Sequence, residues 1–394
     1  MAKYDFDKVI DRHGTSCMKY DGYGHFESEY EDILPLWIAD MDFATPSFVG
    51  DAVRKRLEHP VLGYTFPPDR YFEAIQSWFE KRYGFRPAKE EISYTPGVVS
   101  GYYKLIQCFS HEGDGITILP PVYYPFANVI RGSNRKLVEA PLLVRDERFY
   151  IDWDRLDEAL SQSKMLLFCH PHNPGGRVWS DEELKRVAHM AHEHGVLIMS
   201  DEIHADLSYR GVQHHPFPSI SDEAREITMS LMAPSKVFNM PGVIGSHYYI
   251  PNKELREKAF AYMLQCGLEA ASCWTYDAIA SAYEQGDEWS RACMDYIAEN
   301  VDFVQDYLKR EMPGVKMIRP EASFLIFLDF TDAGFKDPDE LVDFLIRKCG
   351  VFMNDGRMFG TGGDYFMRLN VGEPRSIIEE AMKRMAKGLR ERRG

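Results

Sequence analysis

Three short segments carry residues whose types and order could do chemistry together: His172-Asn173-Pro174-Gly175-Gly176, Ser200-Asp201-Glu202-Ile203-His204 and Ala233-Pro234-Ser235-Lys236. A desolvated lysine amine forms Schiff bases, a carboxylate keeps a pyridine nitrogen protonated, and amide or imidazole groups serve a phenolic oxygen. Lys236, Asp201 and Asn173 could supply these needs of pyridoxal phosphate. His204 suits a hydrogen bond near the same phenolic oxygen. A metal reading of His204 with Asp206, His214 and His215 is weaker, because the chain lacks His-Glu-x-x-His. His189, His192 and His194 fall on a charged helical pattern, where solvation explains them.

Other residues fit around that centre. Tyr94-Thr95-Pro96-Gly97-Val98-Val99-Ser100-Gly101 reads as a strand end, a glycine turn and a helix start, which would aim backbone N–H groups at a phosphate. It matches neither the Gly-x-Gly-x-x-Gly of dinucleotide sites nor a Walker lysine, and Gly360-Thr361-Gly362-Gly363 lacks the flanking strand and helix. Tyr123 offers an aromatic face after another strand. Arg368 is a charge inside the apolar run Phe366-Met367-Arg368-Leu369-Asn370, and a substrate carboxylate held by two parallel hydrogen bonds would satisfy it.

These residues need elements to position them. Apolar runs at 116–119, 165–169, 196–199 and 227–231 read as strands, each bounded by Gly, Pro, Asp or His. Between two of them, Ser180 and Glu183 form a capping box, and Leu184, Val187, Ala188 and Ala191 recur at helical spacing until Gly195. The result is a βαβ unit of an α/β fold with a mainly parallel sheet. Ligands of such sheets gather at the carboxyl ends of the strands, and Asn173 and Asp201 are expected just past two of them. Beyond about residue 285 a long charged amphipathic stretch, the run Phe324-Leu325-Ile326-Phe327-Leu328 and a terminal helix from about Arg375 predict an α+β second domain. The expected division is a large domain at 50–285 and a smaller one formed by 1–49 and 286–394, joined by a long helix.

With 394 residues, 45% of them hydrophobic and 27% charged, the chain is of ordinary globular composition and long enough for two domains. A net charge of -15 disfavours nucleic-acid and anionic-membrane partners, which an acidic surface repels. Seven scattered cysteines without a Cys-x-x-Cys pair read as reduced thiols. The acidic start lacks the apolar stretch of a signal peptide, and no run of eighteen apolar residues follows, so a cytoplasmic location is expected.

Taken together, these motifs resemble fold-type I pyridoxal phosphate enzymes, specifically the MalY/PatB family of cystathionine β-lyases and related C–S lyases. Leu36-Trp37-Ile38-Ala39-Asp40-Met41-Asp42-Phe43, Gly63-Tyr64, Ser200 to His204 and Asn354-Asp355-Gly356-Arg357-Met358-Phe359-Gly360 carry this likeness to the branch rather than to general aminotransferases. The resemblance implies a mainly parallel, mixed seven-stranded sheet between helices. It implies that Lys236 bears the cofactor, that Asp201 meets the pyridine nitrogen, that Asn173 and His204 lie at the phenolic oxygen and that Tyr123 stacks on the ring. Val98 and Val99 would bind phosphate through backbone N–H groups, helped by Ser235, and Tyr64 would reach the phosphate in a neighbouring subunit of a homodimer. Arg368 would hold the α-carboxylate of an amino-acid substrate, near the Ala39 backbone. The implied reaction is β-elimination on cystathionine or a cysteine-type amino acid, giving a thiol, pyruvate and ammonia. Amino transfer is the alternative, since it uses the same lysine, aspartate and arginine. A regulatory binding role through an exposed partner surface is a further one. His170 and the pair Gly372-Glu373 depart from related sequences.

Overall fold

The computed structural model describes residues 4–393 apart from Tyr23 and His25. At its centre is a seven-stranded sheet built from β1 (Ile92–Thr95), β2 (Gly115–Ile118), β3 (Lys136–Glu139), β4 (Met165–Cys169), β5 (Leu197–Asp201), β6 (Thr228–Met232) and β7 (Ser246–Tyr249). The spatial order is β1-β7-β6-β5-β4-β2-β3, with β7 antiparallel to both neighbours and the other pairings parallel. Every residue of β4 and β6 is buried, as expected for strands covered on both faces. Along β4 the side chains alternate: Leu166 and Phe168 join one apolar cluster, and Met165, Leu167 and Cys169 join the cluster on the opposite face.

Helix α1 (Val98–Phe109) follows β1, and α2 (Asp181–Glu193) connects β4 to β5. The expected capping box is present: the Glu183 amide donates to Ser180 Oγ at 3.2 Å, and the Ser180 amide donates to the Glu183 carboxylate at 2.8 Å. Leu184, Val187, Ala188 and Ala191 are its buried face. Gly195, at φ +64°, reverses the chain so that the Val196 amide can return to the Ala191 carbonyl at 2.8 Å.

Helix α3 (Thr275–Gln285) runs into the 25-residue α4 (Asp287–Glu311) with only Gly286 between them. The buried stripe of α4 includes Trp289, Cys293, Ile297, Val301, Val304 and Leu308, spaced at three, four and seven. An antiparallel four-stranded sheet follows in the order β8 (Lys316–Ile318), β9 (Leu325–Asp329), β11 (Phe366–Asn370), β10 (Asn354–Asp355), and the chain closes with α5 (Arg375–Arg393). The start of the chain lies beside this second sheet. Leu34–Pro35 forms a separate two-stranded parallel pair with Val351–Phe352, and the Asn370 amide, on β11, donates to the Leu36 carbonyl at 3.0 Å.

The strands expected at 116–119, 165–169, 196–199 and 227–231 lie within a residue or two of those positions. The larger difference is at β5, whose ladder runs through Asp201 rather than stopping at 199, because Asp201 pairs with both Cys169 and Leu231.

Candidate active site

Asp201 is the last residue of β5, so its carboxyl group stands at the carboxyl edge of the sheet instead of in the loop beyond it. It is buried, and its Oδ1 accepts the Ile203 amide at 3.1 Å. Burial pushes this carboxyl group up to about 7, against the pull of that amide and of the Lys236 amine.

Asn173 lies four residues past β4, in a turn closed by the Gly176 amide on the His172 carbonyl at 2.7 Å. Gly176 sits at φ +64°, and a Cβ there would meet Pro320 at 2.4 Å and the Ala322 carbonyl at 2.6 Å. This explains why the Asn-Pro pair is followed by glycine. The Asn173 amide donates to Cys169 Sγ at 3.3 Å, which fixes the start of the turn.

Lys236 follows β6 in a tight turn where the Phe238 amide reaches the Pro234 carbonyl at 3.0 Å. Its Nζ donates to the Ala39 carbonyl at 2.6 Å. Burial lowers the amine to about 8; Asp40 and Asp201 oppose the shift and Arg368 adds to it. A lysine held this way is far closer to its free, nucleophilic form at neutral pH than a surface lysine.

These three groups share one cavity of about 550 Å³, also lined by Ala39, Val98, Val99, Tyr123, His204 and Ser235. At one end is the N-terminus of α1. Its first backbone bond runs from the Gly101 amide to the Gly97 carbonyl at 2.8 Å, so the amides of Val98, Val99 and Ser100 precede any intrahelical acceptor. Together with the helix dipole they favour an anion at that end. Tyr123 stands partly buried beside Phe126, and burial raises its phenol, so the hydroxyl stays protonated. His204 is buried, and burial, with Lys236 and Arg368, lowers its imidazole to about 3. Its Nδ1 has no hydrogen-bond partner among the described residues.

Arg368 is buried on β11 just behind Asn173. One Nη donates to Asn173 Oδ1 at 3.2 Å; the other donates to the Trp37 carbonyl at 2.9 Å and to Asn354 Oδ1 at 2.6 Å. A guanidinium carries five N–H donors, so three bonds leave capacity for a carboxylate. Two of the expected site residues are not among those lining the cavity: Arg368 backs it from behind Asn173, and Tyr64 lies outside it. Tyr64 is fully exposed on a segment that also exposes Val61, Leu62 and Phe66.

The donor set fits pyridoxal phosphate. A lowered amine, a buried carboxyl group, free helix-start amides and an orphaned imidazole nitrogen face one volume of the size typical for small-molecule sites. Two positioning residues escape a reading by residue type. Asn354 orients Arg368 because β10 and β11 place them opposite each other, a register invisible before the sheet is known. Asn239 ties the Lys236 turn to the start of the chain: its side chain accepts the Met41 amide at 3.0 Å and donates to the Met41 and Phe43 carbonyls, both at 2.7 Å. Of the histidines and acids weighed as metal ligands, His214 bonds Glu202 at 2.8 Å, and Asp206 accepts Trp78 and Tyr83 at 2.8 and 2.6 Å. Among the described residues no group of three His, Cys, Asp or Glu is gathered to hold a metal ion, and no helix is long and apolar enough to cross a membrane.

Comparison with known proteins gives a consistent result. A family model described as aminotransferase class I and II matches residues 31–385. Cystathionine beta-lyase PatB of Bacillus subtilis is 38% identical, over 98% of this chain and 100% of that protein. Protein MalY of Escherichia coli is 32% identical, over 98% of this chain and 99% of that one. Among solved structures, cystalysin from Treponema denticola, which contains a pyridoxal 5'-phosphate cofactor, has a TM-score of 0.93 at 32% identity, covering 98% of this chain and 99% of that one.

Proposed function

The chain belongs to the class I and II aminotransferase family, in the branch of PatB and MalY, and from that premise we propose that it is a pyridoxal phosphate-dependent C–S lyase. The observation that carries this reading is the convergence of Lys236, Asp201 and Asn173, from two turns and the end of β5, on one cavity backed by Arg368. Pyridoxal phosphate, when bound, supplies an electron sink for the pair left at Cα when a proton is removed.

The chain's own residues do the rest. Val98 and Val99 amides with Ser235 hold the phosphate, and Tyr123 covers the ring. Asp201 keeps the pyridine nitrogen protonated, while Asn173 and His204 serve the phenolic oxygen. Arg368 binds the substrate α-carboxylate and so fixes the direction of the Cα–H bond. Lys236, whose amine is lowered by burial, takes that proton as general base. The Cβ–S bond then breaks with its electron pair going to sulfur, which takes up a proton and leaves as a thiol, and water hydrolyses the remaining amino-bearing three-carbon unit to pyruvate and ammonia. Cystathionine and cysteine-type amino acids are the substrate class, a choice supported by the name and 38% identity of PatB.

We also assign the active form as a homodimer in which Tyr64 reaches the neighbouring copy's phosphate. Its support is the run of exposed apolar side chains at Val61, Leu62, Tyr64 and Phe66, which a second copy would cover. A large domain at 50–285 and a small one from 1–49 with 286–394 complete the proposal, supported by the separation of the seven-stranded from the four-stranded sheet. A cytoplasmic location is supported by seven cysteines, each free of a disulfide.

Incubation of the holoenzyme with L-cystathionine and no keto acid tests the reaction. Repeated turnover to pyruvate is expected. Amino transfer to an added keto acid without pyruvate release would make the protein an aminotransferase instead.

A further inference from the structure

Lys19 is fully buried, where an ammonium group survives only with matched partners. Its Nζ donates to Glu373, also fully buried, and lies 3.2 Å from Asp42 and 3.9 Å from Asp40. Arg12 grips both oxygens of Asp40, at 2.7 and 3.2 Å, and reaches Asp42, which also accepts the Tyr20 hydroxyl. Burial and the neighbouring Asp42 push Glu373 well up, against the pull of Lys19, and so favour its neutral form. Burial works to raise Asp42 too, but Lys19 and hydrogen bonds from Glu373, Tyr20 and Arg12 bring it down to about 2. The cluster gathers two cations, Lys19 and Arg12, with three acids, Asp40, Asp42 and Glu373, and with Glu373 protonated its charges balance.

This balanced cluster holds a particular stretch of backbone. The Trp37 indole donates to the Lys19 carbonyl at 3.1 Å, and the Asp42 amide donates to the Gly372 carbonyl at 2.8 Å. From the other side, Asn370 donates to the carbonyls of Ile38 and Asp40 at 2.7 and 2.6 Å. Residues 37–42 are thus clamped between the N-terminal segment and β11. Two carbonyls of this stretch face the site: Trp37 accepts Arg368 at 2.9 Å, and Ala39 accepts Lys236 at 2.6 Å. Lys19, Arg12 and Glu373 do not themselves line the cavity.

We propose that Lys19, assisted by Arg12, is a positioning residue for this cleft: it pins residues 37–42 so that the Trp37 and Ala39 carbonyls set Arg368 and Lys236 for an amino-acid ligand. The inference rests on the reading that the cleft takes an amino acid. Its physical content is that loosening a charge cluster outside the cavity weakens ligand binding inside it.

The test compares wild type, Lys19→Met and Arg12→Gln. L-alanine, which has no β leaving group, is titrated into each holoenzyme and its Kd read from the change in cofactor absorption. Amide exchange of Met41 and Asp42 is measured in each apoprotein. Lys19→Met is expected to raise Kd at least about tenfold and Arg12→Gln about threefold or more, each with a matching acceleration of exchange. If Lys19→Met does not fold, Arg12→Gln, at the partly exposed edge of the cluster, decides alone. Faster exchange with Kd within about twofold of wild type, raised Kd without faster exchange, or neither change would overturn the proposal, even where the melting temperature falls. A wild-type holoenzyme that gives no response to L-alanine would count against the amino-acid reading instead, and exchange in the apoproteins would still decide the pinning.

Discussion

Lys236 donates from Nζ to the Ala39 carbonyl at 2.6 Å, joining two positions 197 residues apart. The bond puts the partly buried amine under a carbonyl from the N-terminal part of the chain, at the wall of the cavity. Burial lowers it from 10.5 to about 8, so about half of it is neutral near pH 8, whereas a solvated lysine there would be overwhelmingly protonated. The rate at which apoprotein takes up pyridoxal phosphate is therefore expected to climb with pH and level off above about pH 8 to 9. A rate still rising about tenfold per pH unit beyond that range would contradict a lowered Lys236.

Arg368 is held by Asn354, Asn173 and the Trp37 carbonyl, so its planar fork arrives already oriented. Arg368→Lys keeps the charge and loses the fork, and it is expected to raise KM for the amino acid on the order of 10- to 100-fold. Asn354→Ala leaves the guanidinium in place with one tether fewer; about a fivefold rise in KM with kcat little changed is expected. Steady-state kinetics of both variants check this. Equal losses in kcat and kcat/KM at unchanged KM would mean that Arg368 acts in the chemical step rather than in carboxylate binding.

Asp201 carries a stability signature in the apoprotein. Burial raises its carboxyl group to about 7 from 3.8, so the folded chain binds a proton that the unfolded chain releases. The associated stability is complete below about pH 4 and is lost as pH rises through 7. Asp201→Asn removes a titrating group, so the apoprotein variant is expected to lose less stability between pH 5 and 8 than wild type, by about 1 to 3 kcal/mol. Urea unfolding of both apoproteins at several pH values measures it. Parallel pH dependences would show that Asp201 is not held in its neutral form. In the holoenzyme the same substitution removes the anion at the pyridine nitrogen, and a loss of turnover on the order of 100-fold or more is expected.

How far the site could be read from residues alone followed from the range of each interaction. Local order was legible: the Ser180–Glu183 box, the Gly97 turn before α1 and the apolar runs of the sheet are set by neighbours in sequence. The convergence of Asn173, Asp201 and Lys236 followed in turn from the rule that ligands collect at strand ends. Asn354 and Asn239 were not legible, because their roles depend on a β-ladder register and on a contact about 200 residues away. Nothing in the sequence around Lys19 sets it apart from other charges, and only the fold reveals that Glu373, the departure at 373, is its buried partner. Tyr64 is fully exposed and does not line its own chain's cavity, which is why the role the resemblance implies for it enters only with the proposed homodimer.

Glu373 offers a sharp contrast between two substitutions. Held as a neutral acid against Lys19, it should be replaced by glutamine with little change, whereas alanine leaves a void and takes a partner from a buried ammonium. Glu373→Gln is expected within about 1 kcal/mol of wild type, and Glu373→Ala about 2 to 4 kcal/mol less stable. Denaturant unfolding at neutral pH compares them. A Gln variant as unstable as the Ala variant would mean that Glu373 is ionised.

The central claim is that Lys236 holds pyridoxal phosphate in the cavity shared with Asp201 and Asn173. Its most direct test is reduction of the reconstituted protein with borohydride, followed by digestion and peptide mass spectrometry. The account predicts one pyridoxyl-phosphate adduct per chain, on the peptide that contains Lys236, and none in Lys236→Ala. Absence of an adduct, or the same yield on another lysine in Lys236→Ala, would contradict it.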